Sequence, residues 1–276
     1  MKTIIKFELR RAFINRAYLL ALAIGIGICI WHLAALPGVY SAHFQSAGAE
    51  FAGMRYPPSL YNSWLGSAAA QTQLNLYFFI LPLLVCIPFV GSYHSDRAHG
   101  YAVNVITRVK ASHYYCAKLL AIFLTAVSIA IIPLIFDMFA TALFVPALLP
   151  KVTAATFTIT PYCMWAEIFY QTPLLYFAMY FVLIIAPTSG LLALLGAAIS
   201  YYAGHSVFCL LAPFAVCAFS AYFLAVSGPV VYAPSSFMQP AQMIPTDGFA
   251  VLATLGILVI GLGLLFFFKI RKDELI

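Results

Sequence analysis

The side chains that could do chemistry are few and widely spaced in this chain. The six histidines form no His-Glu-x-x-His pattern, and His94 and His99 are five residues apart, so they do not share one face of a helix. A serine hydrolase needs a serine beside a base, for which Ser189 and His205 are the nearest pair. Ser189 follows Pro187, which favours a helix kink instead. We therefore expect no metal and no catalytic site, and we interpret the histidines as polar interfacial side chains.

Nucleotide hydrolysis within the chain is excluded by a missing motif. A P-loop needs Gly-Lys-Ser/Thr to hold phosphate groups, and no glycine here is followed by lysine. The six cysteines are scattered, mostly in apolar runs, which indicates small apolar core residues and no disulfide framework or zinc site. We expect no cofactor in this chain, so any ATP must be bound by a partner subunit.

Asp137 is the carboxylate whose position demands an explanation. An ionised Asp at the centre of a bilayer costs about 2.5–3.5 kcal/mol on insertion scales, so an intramembrane carboxylate is a functional candidate. Asp137 lies 22 residues after Tyr115, the predicted start of its helix, which is about 33 Å of helix. That distance exceeds the hydrocarbon thickness of about 30 Å, so we expect Asp137 to be solvated at the outer interface.

The composition indicates whether water or lipid surrounds these residues. Of 276 residues, 64% are hydrophobic and 8% are charged, against about 45–50% and about 25% in soluble domains. The polar stretches are too short to bury a core of their own. We therefore predict an all-α integral membrane protein with one domain over residues 1–276.

Six apolar segments have the length of a transmembrane helix. They lie at residues 18–36, 74–90, 115–136, 174–202, 207–224 and 249–268. Residues 174–224 carry no charge and are long enough for two spans with a turn at residues 203–206. Because no Lys or Arg lies at that turn, a re-entrant arrangement is the alternative. Gly196, Ser200 and Gly204 recur every four residues and predict close helix packing.

The basic residues predict the orientation. With these spans, twelve of the fourteen Lys and Arg residues lie on the side of the N-terminus, which the positive-inside rule places in the cytoplasm together with the C-terminus. Residues 1–16 have the pattern of an interfacial helix, with Lys6 and Arg10 as anchors. The apolar run that follows is too long for a signal peptide, so we predict a retained helix.

Residues 91–114 form the one sizeable cytoplasmic feature after the N-terminus. Gly100 can end one turn and begin another. Val103, Ile106 and the stem of Lys110 are spaced to share one helix face, and Arg108 could bind a partner carboxylate through two hydrogen bonds. We expect Lys118 to anchor the third span by extending its ammonium to the interface.

The order of these parts resembles the type 2 ABC transporter permeases, the membrane subunits of bacterial ABC exporters. That family has an N-terminal interfacial helix, six spans, an acidic-x-x-x-Gly segment after span two, a basic stretch and a Lys at the start of span three. The matching residues here are Asp96-Arg97-Ala98-His99-Gly100-Tyr101, Thr107-Arg108 and Tyr114-Tyr115-Cys116-Ala117-Lys118. The family often has Gly-Thr where this chain has Gly100-Tyr101, and a proline before the basic region is missing here.

The resemblance implies a permease that forms a substrate pathway as a dimer, with an identical or related chain, on two separate ATPase subunits. Residues 91–114 would then be a coupling segment in which Asp96, Gly100, Val103, Ile106 and Arg108 serve the ATPase contact. It also implies a bacterial inner membrane and no nucleic-acid partner. Peptides, lipids, glycans and hydrophobic drugs are all open as substrates. A membrane-embedded enzyme and a non-transporting assembly or immunity protein are the alternatives.

Overall fold

All regular structure in the described part of the protein is helical. The computed structural model describes residues 1–45, 56–67, 71–152, 157–200, 206–242 and 245–274. The helices are α1 (Lys2–Phe13), α2 (Arg16–Gln45), α3 (Leu60–Ser63), α4 (Gln71–Leu84), α5 (Ser92–Ala98), α6 (Tyr101–Ile106), α7 (Ala111–Ala142), α8 (Ala166–Gln171), α9 (Pro173–Tyr180), α10 (Ala186–Ser200), α11 (Ser206–Ser227), α12 (Pro234–Phe237) and α13 (Gly248–Glu274).

Within these ranges, five helical segments are long and apolar enough to cross a membrane. They are Arg16–Gly38, Ala111–Ala142, Pro173–Ser200, Val207–Ser227 and Gly248–Arg271. The third of them joins α9 to α10 through a π-helical turn, Phe181–Ile185. This pattern makes the chain a multi-pass, all-helical membrane protein, and the segments coincide with five of the six predicted spans.

The second predicted span, residues 74–90, differs from the prediction. Its helix α4 has 14 residues, which is about 21 Å and shorter than the hydrocarbon layer of about 30 Å. Pro82 lies inside α4 and Pro88 follows it, and neither can donate a backbone N–H. The chain continues from Leu84 to Gly91 as turns, one of which is closed by a Val90 N to Cys86 O bond of 3.3 Å.

The other sequence expectations agree with helix positions. Helix α1 occupies the predicted interfacial segment. Residues 174–224 contain two separate helices of spanning length, as two spans require. The predicted turn at residues 203–206 lies outside the described residues except for Ser206, which begins α11. Gly196 confirms the close packing, because a Cβ atom there would lie 2.7 Å from the carbonyl oxygen of Cys209 on α11.

At the end of the molecule away from α1, the segments that connect the long helices pack together into a cap. We call this end the opposite face. Leu60 N donates to Pro146 O at 3.0 Å, which joins the α2–α4 connection to the end of α7. Met164 N donates to the Gln242 side chain at 3.0 Å, and this joins the α7–α8 connection to the segment before α13. The end that holds α1, α5 and α6 is the N-terminal face.

Helices α2 and α7, which both contain a segment long enough to span a membrane, meet along a polar seam. Tyr18 and Ser128 hydroxyls lie 3.2 Å apart, and Cys29 Sγ donates to the Pro133 carbonyl at 3.2 Å. Between these contacts, a Cβ atom on Gly25 would lie 2.8 Å from Pro133 Cγ. The seam therefore holds the two helices as one packed unit.

Asp137 lies at the end of this seam. The prediction that water solvates its carboxylate is wrong. The side chain is 0% exposed. Asp137 Oδ1 lies 2.8 Å from His32 Nδ1 on α2, and Oδ2 accepts a 2.6 Å hydrogen bond from the Leu65 backbone N–H. Helix length does bring Asp137 to the far end of α7, but residues 60–67 fold over it and replace water.

Candidate functional site

Four charged side chains meet at the N-terminal face, where α1, α5 and α7 converge. Arg11 on α1 donates to Asp96 Oδ1 on α5 at 2.8 Å and to Glu8 Oε1 at 3.1 Å. Lys118 Nζ on α7 contacts Asp96 Oδ2 and lies 3.5 Å from Glu8 Oε2. We call Glu8, Arg11, Asp96 and Lys118 the charge cluster. Each acid contacts both bases, so the cluster joins three helices.

Helix geometry explains why these residues meet. Glu8 and Arg11 are three residues apart on α1, so they lie on one face, and Ala12 packs beside them with 0% exposure. Lys118 follows Tyr114 by one turn of α7, so both side chains reach the same carboxylate. The turns after α4 carry Asp96 back to this point.

Aromatic rings surround the cations of the charge cluster. The Tyr114 hydroxyl donates to Asp96 Oδ2 at 3.0 Å. The Arg11 guanidinium lies 4.6 Å from the centre of the Tyr101 ring, and Lys118 Nζ lies 4.5 Å from that of Phe89. Such contacts attract cations to the ring face and limit access of water to them.

The charge cluster is buried and electrically balanced. Glu8, Asp96 and Lys118 are 0%, 4% and 2% exposed. Two carboxylates and two cations give a net charge of zero, as burial of ions demands. Because removal of one partner from such a group costs about 3–5 kcal/mol, the cluster fixes the arrangement of α1, α5 and α7.

Both Asp96 and Arg11 favour their charged forms. Burial alone would raise the pKa of the Asp96 carboxyl, but the Arg11 hydrogen bond and the charge of Lys118 outweigh it and hold that pKa below its usual value. Burial would lower the pKa of the Arg11 guanidinium, and the Asp96 hydrogen bond and the charge of Glu8 reverse this and raise it. The pair therefore stays ionised at neutral pH.

Two residues predicted from the sequence have other surroundings in the structure. Lys118 does not extend to the interface, because its ammonium lies between Asp96 and Glu8. Asp96, expected in the ATPase contact, lies inside the charge cluster and is covered by its own chain. Lys6 and Arg10, the predicted anchors, are exposed on α1.

The predicted turn at Gly100 is confirmed. Helix α5 ends at Ala98, α6 begins at Tyr101, and Gly100 between them has a φ of 71°. This is the left-handed region, which a residue with a Cβ atom adopts only at a cost. Gly100 therefore sets the angle at which α6 leaves α5.

The predicted binding face of α6 is only partly present. Helix α6 ends at Ile106, so Lys110 lies beyond it and cannot continue a face of that helix. Ile106 is half-buried and packs against a small core formed by Tyr93, Ala102, Ala111, Tyr114 and Tyr115. Arg108 is exposed in the turn that follows. Val103 belongs to α6, but its side chain lies outside the described residues.

An open crevice of about 500 Å³ lies beside the charge cluster. Arg11 and Asp96 line one part of it, and Asn15, Pro88 and Ser92 line another. Asn15 Nδ2 donates to the Pro88 carbonyl at 2.9 Å and so ties the start of α2 to the turns after α4. The Arg11 side chain, which is 32% exposed, is accessible from this crevice.

Sequence reasoning missed the α1 half of the charge cluster. From the sequence, Arg11 contributes only to the predicted topology, and Glu8 has no predicted role. A signal was present, because Glu8 is the one acidic residue before Glu50 and lies in a helix rich in Lys and Arg. A lone carboxylate among cations indicates pairing, although its partner on α7 could not be identified from spacing.

The other chemical candidates are not assembled into sites. No group of three metal-ligating side chains occurs in the described ranges. The Ser189 hydroxyl donates to Ala186 O in its own helix at 3.0 Å, and His205, its predicted partner, lies outside the described residues. His99 Nδ1 lies 2.8 Å from Ser95 O, one turn earlier.

Comparison of the chain with protein-family models, with curated proteins and with solved structures finds no match.

Proposed function

We propose that this chain is the membrane-spanning permease subunit of an ATP-driven ABC exporter, which works as a dimer on separate ATPase subunits. One observation carries the proposal. Asp96 and Lys118, which the resemblance selects as motif residues, lie 22 positions apart in sequence and are in contact. A motif whose distant members meet in space favours a shared mechanical role over chance similarity.

The charge cluster would transmit force from an ATPase to the membrane helices. A push on α5 and α6 reaches α7 through Asp96 and Lys118, and reaches α1 through Asp96 and Arg11. Helix α7 has 32 residues and is packed along α2, so its movement would carry α2 with it. The exposed Arg108 and the crevice beside Arg11 are the surfaces that an ATPase would contact.

Six crossings and a cytoplasmic N-terminal face belong to this proposal. The short α4 with its following turns would complete the sixth crossing by thinning the bilayer locally, as short spans do. The excess of Lys and Arg would then place the charge cluster in the cytoplasm of a bacterial cell.

A cavity of about 740 Å³ lies between the first turns of α4 and the segment before α13. Thr72, Asn75 and Gln239 contribute polar groups to it, and Leu76 and Phe79 contribute apolar ones. A smaller cavity of about 190 Å³ also includes Phe79 and extends along α4 to Pro82. The described lining of both holds no charged side chain, which suits an uncharged amphiphilic substrate and makes this groove the candidate pathway.

The proposal is tested by isolation of the tagged chain from its native membrane in mild detergent. A P-loop ATPase should co-purify, and the complex should hydrolyse ATP while the chain alone does not. Arg108→Lys keeps the charge but loses the planar fork, so coupled hydrolysis should fall while insertion is unchanged. Arg10→Lys is the matched control and should leave hydrolysis intact. If no ATPase co-purifies, or if Arg108→Lys and Ile106→Asp both keep full activity, the proposal is wrong.

A further inference from the structure

The buried pair of His32 and Asp137 lies far from the charge cluster. Asp137 follows Lys118 by 19 residues, which is about 28 Å along α7. Both side chains are 0% exposed, and the described ion pairs give Asp137 no partner but His32. The coupling proposed at the N-terminal face makes no use of this pair. The free-energy cost of burying the two side chains therefore needs another explanation.

One atom of the pair has no hydrogen-bond partner in the described structure. His32 Nδ1 is engaged by Asp137 Oδ1, whereas His32 Nε2 is buried without a partner. An unpartnered buried polar atom costs about 1–3 kcal/mol. Because Nδ1 is engaged, Nε2 is the ring atom at which a proton can be gained or lost.

The titratable side chains nearest to the pair contact other groups. Cys29 lies on α2 one turn before His32, and its thiol donates to the Pro133 carbonyl. Tyr77 on α4 donates to the Ala130 carbonyl at 2.7 Å. Residues 60–67, which pack over the pair, contain one ionisable side chain, that of Tyr61, and its ring stacks on Phe177 with 6.3 Å between the ring centres.

We propose that His32 and Asp137 form a buried proton-binding site whose occupancy sets how tightly residues 60–67 are held to α7. In the empty state, neutral His32 donates Nδ1–H to the Asp137 carboxylate, and the pair has a net charge of −1. A proton from water then binds the Nε2 lone pair. The carboxylate stays ionised, and the loaded pair is an imidazolium–carboxylate ion pair with no net charge.

The Leu65 hydrogen bond links this site to the cap. In the empty state the carboxylate carries its full charge, and Leu65 N–H donates to it at 2.6 Å as a charge-assisted bond. In the loaded state the imidazolium shares that charge, so the Leu65 bond weakens. Proton loading therefore loosens residues 60–67 from the end of α7.

Histidine protonation is measured directly by NMR on the full chain in nanodiscs. His43, His94, His99, His113 and His205 are replaced by glutamine, so that His32 is the one ¹⁵N-labelled histidine. Between about pH 8.5 and about pH 4.5 its spectrum should change from one protonated ring nitrogen to two. Asp137→Asn in the same background should shift the Nδ1 resonance, because it removes the carboxylate that lies 2.8 Å from that atom. A His32 that keeps one protonation state over this range overturns the site.

Coupling to the cap is measured by hydrogen exchange at Leu65 in the chain with all its histidines. After correction for intrinsic pH dependence, exchange should be about fivefold faster below the His32 midpoint than above it. His32→Gln should abolish the change, whereas His113→Gln should not. Equal exchange on both sides of the midpoint refutes the coupling. Neither experiment needs an ATPase, so failure here is distinct from failure of the transport proposal.

Discussion

Lys118 and Asp96 lie 22 residues apart in the chain, yet the ammonium of one contacts the carboxylate of the other inside the protein. Each also contacts α1, Lys118 through Glu8 and Asp96 through Arg11. The contact therefore belongs to a closed ring of ion pairs. An element in such a ring cannot move without its neighbours, so the ring holds α1, α5 and α7 as one unit at the N-terminal face.

Lys118→Met tests the energetic weight of this contact. The change keeps side-chain length but leaves Asp96 and Glu8 with one cation, so the free energy of unfolding should fall by about 3 kcal/mol. Thermal denaturation in detergent measures the loss. Lys110→Met, an exposed lysine before α7, is the matched control and should change stability by less than about 0.5 kcal/mol.

A second variant separates lost charge balance from lost packing. Lys118→Met combined with Asp96→Asn restores equal numbers of acids and bases, so the pair of changes should cost less than the sum of the two single changes. Strictly additive losses would show that the ion pairs do not act together.

The low pKa of Asp96 predicts how stability depends on pH. A carboxyl whose pKa is depressed by folding stabilises the folded state above its unfolded pKa of about 3.9, and this contribution disappears as pH falls through the lower folded value. The cost of Asp96→Asn should therefore be constant from about pH 5 to about pH 8 and should shrink below about pH 4. Asp247→Asn, at an exposed carboxylate, should cost little at any pH. A decline of the Asp96→Asn cost that begins near pH 6 contradicts the assignment.

Most helices could be predicted from the sequence, because apolar length is a local property. Five predicted spans coincide with long helices, and the predicted turn at Gly100 is present. Side-chain partners over long distances were not predictable, since hydropathy does not say which faces meet. Asp137 shows the limit best. Helix length gave its depth, but only the fold of residues 60–67 decides whether water or protein covers it.

The packing of α2 against α7 predicts that alanine substitutions at two glycines of α2 change stability differently. A Cβ atom on Gly25 would lie 2.8 Å from Pro133 Cγ, whereas one on Gly27 would have no neighbour within 4 Å. Gly25→Ala should destabilise by about 1–3 kcal/mol, because the proline ring cannot turn away. Gly27→Ala should be neutral or slightly stabilising, since alanine favours the helix. Denaturation in detergent measures both, and equal effects would contradict this packing.

The distribution of Lys and Arg predicts which face lies in the cytoplasm, and thiol labelling measures it. Thr107, after α6, and Ser227, at the end of α11, are both exposed and belong to the N-terminal face and the opposite face. Single cysteines are placed there in a chain whose six native cysteines are replaced by serine or alanine. With most Lys and Arg at the N-terminal face, an impermeant maleimide added to intact cells should label Ser227→Cys at once and Thr107→Cys only after permeabilisation. Labelling of Thr107→Cys in intact cells would reverse the orientation and remove the charge cluster from the reach of a cytoplasmic ATPase.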